Sequence, residues 1–382
     1  MSETLLAALL PETRQRLSRV LRASTGPRVS VYLPLAPPPD AAQNDLLCRQ
    51  AVDAARKRLE ALGVESQEAS RRSELIGGSL RESAPHAPPR GTLAGFESGS
   101  EVCSLGLVQR LPFLVSVGKR LVLRPLLRAL QIEGPYRVLA VSTKRVALFE
   151  GDSRGLRRAA QGELPKSLED ALGSETTEKQ LRLRGTGPSG SAPVYYAHHD
   201  ASQEQKIDLR RFHHAIAAAL NARLTNDAVP LVLASDTTHQ GGLRAELRVP
   251  GLIEAAATAS PDYWTEAELH EHAWPQVERV RASLMSAAPE SWERARNTGK
   301  GVDLLDDIGA AALAGRVRRL WLDGDRALPG SVDPATGRAV PGAPDDDVLD
   351  ALAEIVMSHG GEVRVLTSGA LPSATGAAAE LR

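Results

Sequence analysis

Apolar residues in this chain fall in short runs, and from Arg28 to Leu366 these runs alternate between the two-residue period of strands and the longer period of helices. That alternation restricts the fold to mixed α/β layers. Arg28 to Leu35 (RVSVYLPL) is rich in β-branched residues and stops before Pro37, Pro38 and Pro39, as a strand does on leaving into a rigid turn. Leu46, Leu47, Ala51, Ala54, Ala55, Leu59 and Leu62 then recur at helical spacing, with Asp40 placed to cap the helix and Gly63 to stop it. Glu65 to Arg90 is polar and reads either as a short helix with a loop or as a partly mobile stretch. Strand texture returns at Thr92–Phe96, Val102–Val108 and Pro112–Val117, followed by an apolar helix signal at Leu121–Leu130.

Gly134 and Pro135 mark a boundary, after which Arg137–Ser142 and Arg145–Phe149, separated by Thr143-Lys144, read as a β-hairpin. A polar stretch, Asp152 to Gln205, then breaks the pattern, and a segment of that length inside a compact domain is usually a functional loop or disorder. Ile207, Phe212, Ile216, Leu220 and Leu224 share one face of a helix, Pro230–Ala234 reads as a buried strand, and Leu252–Ala257 as a second helical patch. A longer helix starts near Trp264, with Pro275 as its candidate kink. Beyond it the pattern predicts a helix over Asp303–Ala314 closed by Gly315, a strand over Val317–Leu322, and a loop over Leu328–Pro344. A helix over Asp345–Met357, capped by Asp345, Asp346 and Asp347, and a strand over Glu362–Leu366 complete it. The chain's 382 residues fit three mixed α/β domains: 1–133, 134–262 with a long loop at 152–205, and 263–382.

Lys+Arg 46 against Asp+Glu 47 leaves a net charge of −1, so no global field draws the chain to nucleic acid or anionic membranes, and any basic surface is local. Cys48 and Cys103, far apart, exclude a disulfide scaffold and a cysteine-rich zinc module. Met1–Leu10 lacks a positively charged start, and no apolar run approaches the roughly 18 residues of a membrane helix. A soluble cytoplasmic protein without membrane contact is expected.

The histidine groups His198-His199, His213-His214 and His270-Glu271-His272 lack the spacing and third ligand of a zinc site, and read as surface or half-buried residues. Asp323-Gly324-Asp325 resembles the start of a calcium loop but lacks its later donors, which leaves a strand-end turn. Gly241-Gly242 reads as a hairpin turn between strands, since no lysine-bearing phosphate loop accompanies it. With no nucleophile elbow and no dinucleotide fingerprint, the expectation is no catalytic residue, no metal, no cofactor and no small-molecule substrate.

The long loop is the exception. Gly185, Gly187 and Gly190 lie within six residues and allow close backbone approach, while Arg182, Arg184, Lys206, Arg210 and Arg211 can neutralise phosphates along one path. Tyr195 and Tyr196 add faces on which unpaired bases stack. A solvated charged loop is the competing reading, because Glu175, Glu178, Asp200, Glu204 and Asp208 nearly cancel those cations.

Taken in order, these landmarks resemble the archaeal and eukaryotic class-1 release factors and Pelota, and more closely the bacterial archaeo-eukaryotic-type release factor family. The resemblance rests on Val29–Leu35 and Pro112–Leu130 for an amino-terminal release-factor-like domain, and on Tyr136–Asp152, RRFHHAIAAALNARL and PLVLASDT for an RNase-H-like middle domain. For a carboxy-terminal domain with the fold of kink-turn-binding ribosomal proteins it rests on Asn297–Asp323, HGGEVRVL and LPSATGAAAELR. It implies a tRNA-shaped factor that binds ribosomal RNA in the A site during hibernation, rescue or stress, and it leaves open whether a translational GTPase delivers it. True release factors carry Gly-Gly-Gln at the loop tip to position water against the peptidyl-tRNA ester. Gly185–Ser191 holds no Gln, so ester hydrolysis is not expected, and the codon-reading Asn-Ile-Lys-Ser is missing from Asp40–Leu62. The alternative is a metal-dependent RNase-H-like nuclease, for which Glu150, Asp152 and Asp236 are the available acids, or a non-ribosomal adaptor on the same fold.

Overall fold

Helix α1 (Pro11–Arg22), strand β1 (Arg28–Pro34) and helices α2 (Ala41–Ala61) and α3 (Ser66–Ser83) open a computed structural model that describes residues 11–23, 26–36, 41–173, 195–225, 228–257, 262, 264–342 and 346–382. Strands β2 (Thr92–Ser98), β3 (Glu101–Leu107) and β4 (Leu114–Gly118) join β1 in an antiparallel sheet ordered β3-β2-β1-β4, and α4 (Arg124–Glu133) follows. β1 is buried on both faces and its side chains divide by parity. Val29, Val31 and Leu33 pack on α2 and α3, whereas Tyr32 joins Phe96, Leu17 of α1 and Leu126 of α4 on the other side.

The polar stretch after Gly63 is mostly helix, because α3 buries small residues rather than large ones. Ala69, Ser73 and Gly77 face inward with Ile76 and Leu80, and a Cβ on Gly77 would stand 2.5 Å from Val52 Cγ2 of α2. Composition hides such a helix, since Ser and Gly seldom signal a packed face.

The next unit, Pro135–Val280, is built on β5 (Tyr136–Val141), β6 (Val146–Asp152), β7 (Gly155–Arg158), α5 (Leu168–Leu172), α6 (Tyr195–Leu224), β8 (Leu231–Ser235), α7 (Thr237–Glu246) and β9 (Leu252–Ala257). The sheet runs β7-β6-β5-β8-β9, with β5 antiparallel to β6 and parallel to β8, and β8 parallel to β9. Leu139, Val141, Leu231 and Leu233 meet α6 on one face, and Tyr136, Val138 and Val232 meet Leu269, Ala273 and Val277 of α8 (Glu266–Ser286) on the other. The hairpin Arg137–Phe149 is as expected.

The stretch expected as a long loop at 152–205 contains β7, α5 and the start of α6, and two expected elements differ in kind. Leu252–Ala257 is a strand, not a helix: its alanines score as helical, but Leu231 N–H donates to Gly251 O at 2.7 Å, and the chain then follows β8 in parallel register. Gly241 and Gly242 lie inside α7, not in a hairpin turn, because the Asp236 carboxylate caps that helix through the N–H groups of Thr238 and His239.

Beyond α8 come α9 (Ala288–Asn297), β10 (Gly301–Val302), α10 (Leu305–Leu313), β11 (Val317–Asp323), β12 (Gly330–Val332), β13 (Ala339–Pro341), α11 (Val348–Ser358), β14 (Glu362–Leu366) and β15 (Ala377–Leu381). The sheet order is β10-β15-β11-β14, and the expected loop at 328–344 contains the β12–β13 hairpin. Asp323 Oδ1 accepts from the N–H groups of Asp325 and Arg326, which makes the expected strand-end turn.

Arg281–Arg382 and Met1–Gly134 form one unit around a shared core. Its seam is ionic: Asp347, which caps α11, and Asp350 and Glu354 on α11 meet Arg124, Arg28 and Arg120. Glu354 Oε1 lies 2.9 Å from Arg28 and 2.7 Å from Arg120, while Asp350 takes the N–H groups of Leu123 and Arg124 at the start of α4.

Candidate nucleic-acid interface

Three of the cations expected from sequence, Lys206, Arg210 and Arg211, lie on α6. Phe212, Ile216, Leu220 and Leu224 are buried against the sheet, so the opposite side of the helix faces solvent. Lys206, Arg210 and Arg211 are all exposed on this helix. Lys206 and Arg210, four residues apart, stand one turn above the other, and Arg211 lies alongside. Arg182, Arg184, Gly185, Gly187 and Gly190 lie outside the described residues. Tyr195 and Tyr196 begin the α6 backbone, and their side chains also lie outside the described set.

A contact that sequence reading missed joins α6 to α7. His213 and His239 are buried, and their Nε2 and Nδ1 atoms are 3.0 Å apart, so one ring donates and the other accepts. Burial, and then the neighbouring imidazole, hold His213 down at about 4, and burial lowers His239 as well. The pair is therefore uncharged at neutral pH and binds α6 to α7 by a neutral hydrogen bond.

Gly242 makes room for this pair, since a Cβ there would stand 2.1 Å from His213 Nδ1. At the rim His214 bonds Glu246 at 2.8 Å, and Asn221 donates to Glu246 O while accepting from Arg248 N–H. The expectation of surface or half-buried histidines holds for exposed His214 and fails for His213. The available signal was the phase of Phe212, Ile216 and Leu220, which turns position 213 inward as well.

The three acids of the nuclease alternative do not meet. Glu150 and Asp152 lie at the end of β6 that pairs with the start of β5, whereas Asp236 follows the far end of β8. The register puts Arg137 beside both Glu150 and Leu231, and Val141 beside Ser235. Asp236 is thus at least five residues along the sheet from Glu150, roughly 16 Å at the usual strand rise. Each acid also has local work. Glu150 pairs with Arg137 at 3.2 Å, Asp152 with Arg154 at 2.6 Å, and Asp236 caps α7. Among the described residues no group of three His, Cys, Asp or Glu side chains could hold a metal ion.

Residues 135–316 match the model described as bacterial archaeo-eukaryotic release factor family 3. That is the family the sequence resembles. The matched segment contains the middle unit and continues through α9 and α10 to the start of β11. Comparison with curated proteins finds no significant match. Among solved structures, the archaeal translation termination factor aRF1 is 16% identical with 97% of each chain covered and a TM-score of 0.24. Archaeoglobus fulgidus Pelota is 12% identical, covering 77% of this chain and 79% of its own, with a TM-score of 0.26. Saccharomyces cerevisiae Dom34, described as a translation termination-like factor, is 13% identical over 76% and 79%, with a TM-score of 0.36. Among the described residues no helix is long and apolar enough to cross a membrane.

Proposed function

We propose that the protein is a ribosome-associated translation factor of the release-factor kind, which occupies the A site and binds ribosomal RNA through the α6 face and the loop that precedes it. The supporting observation is the family match over residues 135–316, the segment that contains Lys206, Arg210 and Arg211 on an exposed helical face. Phosphate contacts by Arg182, Arg184, Lys206, Arg210 and Arg211 would position the molecule, and Gly185, Gly187 and Gly190 would let the loop approach RNA closely. Tyr195 and Tyr196 would offer stacking faces.

Without a Gln in Gly185–Ser191 the factor would act by occupancy rather than by hydrolysis of peptidyl-tRNA, which suits hibernation, rescue or stress. In this reading the chain is organised as three domains, 1–133, 134–262 and 263–382, and works in the cytoplasm with or without a delivering GTPase. Ribosome co-sedimentation over a salt series tests it. Wild type pellets with ribosomes at low salt, and Arg182→Ala/Arg184→Ala gives a shallower salt slope. Absence of wild-type protein from the ribosome pellet at low salt would reject the reading.

A further inference from the structure

We infer that Met1–Gly134 with Arg281–Arg382 carries a separate RNA-backbone-binding edge at the end of its carboxy-terminal sheet, formed by Arg294, Arg296, Lys300 and Arg316. Three helices finish there. α9, α10 and α11 each turn into the next strand through a glycine in the left-handed region, Gly299 (φ 70°), Gly315 (φ 66°) and Gly360 (φ 75°). The starts of β10, β11 and β14 and the finish of β15 therefore share one edge. Lys300 C=O accepts from Leu381 N–H at 2.8 Å, and Arg316 C=O accepts from Arg382 N–H at 2.9 Å. With neighbouring strands about 4.8 Å apart, Lys300 and Arg316 flank β15 within roughly 10 Å of each other. Lys300 N–H returns to Ala295 O at 2.9 Å, which brings the last turn of α9, and so Arg294 and Arg296, to the same edge.

Charge at this edge is left uncompensated, in contrast to the adjoining sheet surface. There Arg318, Arg319 and Arg364 are each paired with Glu380 or Glu362. The side chains of Arg294, Arg296, Lys300 and Arg316 are exposed, and among the described residues none has an ion pair or hydrogen-bond acceptor. Helix carboxyl ends attract cations, and Arg382 does serve one of them, donating to His359 O at 3.1 Å. Among the described residues these four side chains donate to no carbonyl, so helix capping does not account for them.

A phosphate run is the complement this edge fits. No large exposed apolar side chain belongs to the three turns at 297–300, 314–316 and 359–361, as a membrane surface or a protein groove would require. Loss of two phosphate contacts on a single strand removes about 1.4 from the salt slope, which is roughly 20-fold in affinity at 0.1 M salt.

The test is fluorescence anisotropy of the full chain with a labelled single-stranded RNA, without ribosomes. Lys300→Gln/Arg316→Gln weakens binding by roughly 20-fold and flattens the salt slope, and Lys300→Glu/Arg316→Glu does so to a greater extent. Arg49→Glu/Lys57→Glu on α2 makes the same change in net charge and alters affinity by less than about threefold if the edge acts locally. Equal weakening by both reversals, no RNA binding by wild type, or a lowered melting temperature with unchanged RNA affinity overturns the inference. Ribosome pelleting of wild type reports on the A-site proposal alone, so the two can fail separately.

Discussion

Gly241 and Gly242 are neighbours on one helix and should respond oppositely to the same substitution. In a helix interior Gly→Ala is worth about 1 kcal/mol of stabilisation where nothing is in the way. Nothing lies within 4 Å of a Cβ at Gly241, so Gly241→Ala should gain about that amount. At Gly242 the added Cβ would fall 2.1 Å from His213 Nδ1 and 2.6 Å from Cε1, more than 1 Å inside ordinary contact. The imidazole cannot yield freely, because its other nitrogen is held by His239 at 3.0 Å and both rings lie against Phe212. Overpacking costs about 1–3 kcal/mol, and breaking the buried hydrogen bond adds about 1–3 kcal/mol. After the propensity gain is subtracted, Gly242→Ala should lose about 1–5 kcal/mol. Urea denaturation at pH 7 gives the comparison, with hydrogen exchange of the α6 and α7 amides to localise the loss. Equal stability changes in the two variants would refute the packing described for His213.

The same pair sets a pH dependence. Folding lowers His213 from its ordinary 6.5 to about 4, so the unfolded chain binds more protons in that interval and stability falls as pH falls through it. Between pH 6.5 and 5 the loss from His213 alone is about 2 kcal/mol, measurable by urea midpoints, and a flat profile there would contradict the buried neutral pair. In the other unit, Glu354→Ala leaves Arg28, only 6% exposed, without its carboxylate and should cost about 3–5 kcal/mol in thermal or urea unfolding. Asp236→Ala removes the α7 cap and should cost about 1 kcal/mol by the same assay. With the three acids spread along the sheet, RNA incubated with the protein in Mg²⁺ or Mn²⁺ should stay intact, and Asp152-dependent cleavage would count against the geometry.

Periodicity located most strands and the long helices, because parity in β1 and the face of Phe212, Ile216 and Leu220 are direct consequences of burial. It failed where packing relies on small or ambiguous residues. α3 buries Ser73 and Gly77, β9 spells a strand in alanine, and α7 contains two glycines behind an aspartate cap. The cations of α6 were visible in sequence but nearly balanced by nearby acids, and their exposure depended on how the helix packs against the core. Neither the His213–His239 contact nor the cationic edge at Lys300 and Arg316 was legible, since each joins residues brought together only by strand order.

Chemical footprinting of ribosomal RNA, with and without the protein at saturating concentration, addresses the A-site proposal most directly. The account predicts protection of A-site and peptidyl-transferase nucleotides, diminished when Lys206, Arg210 and Arg211 are changed to Glu. An unprotected A site on ribosomes that demonstrably carry the protein would contradict it.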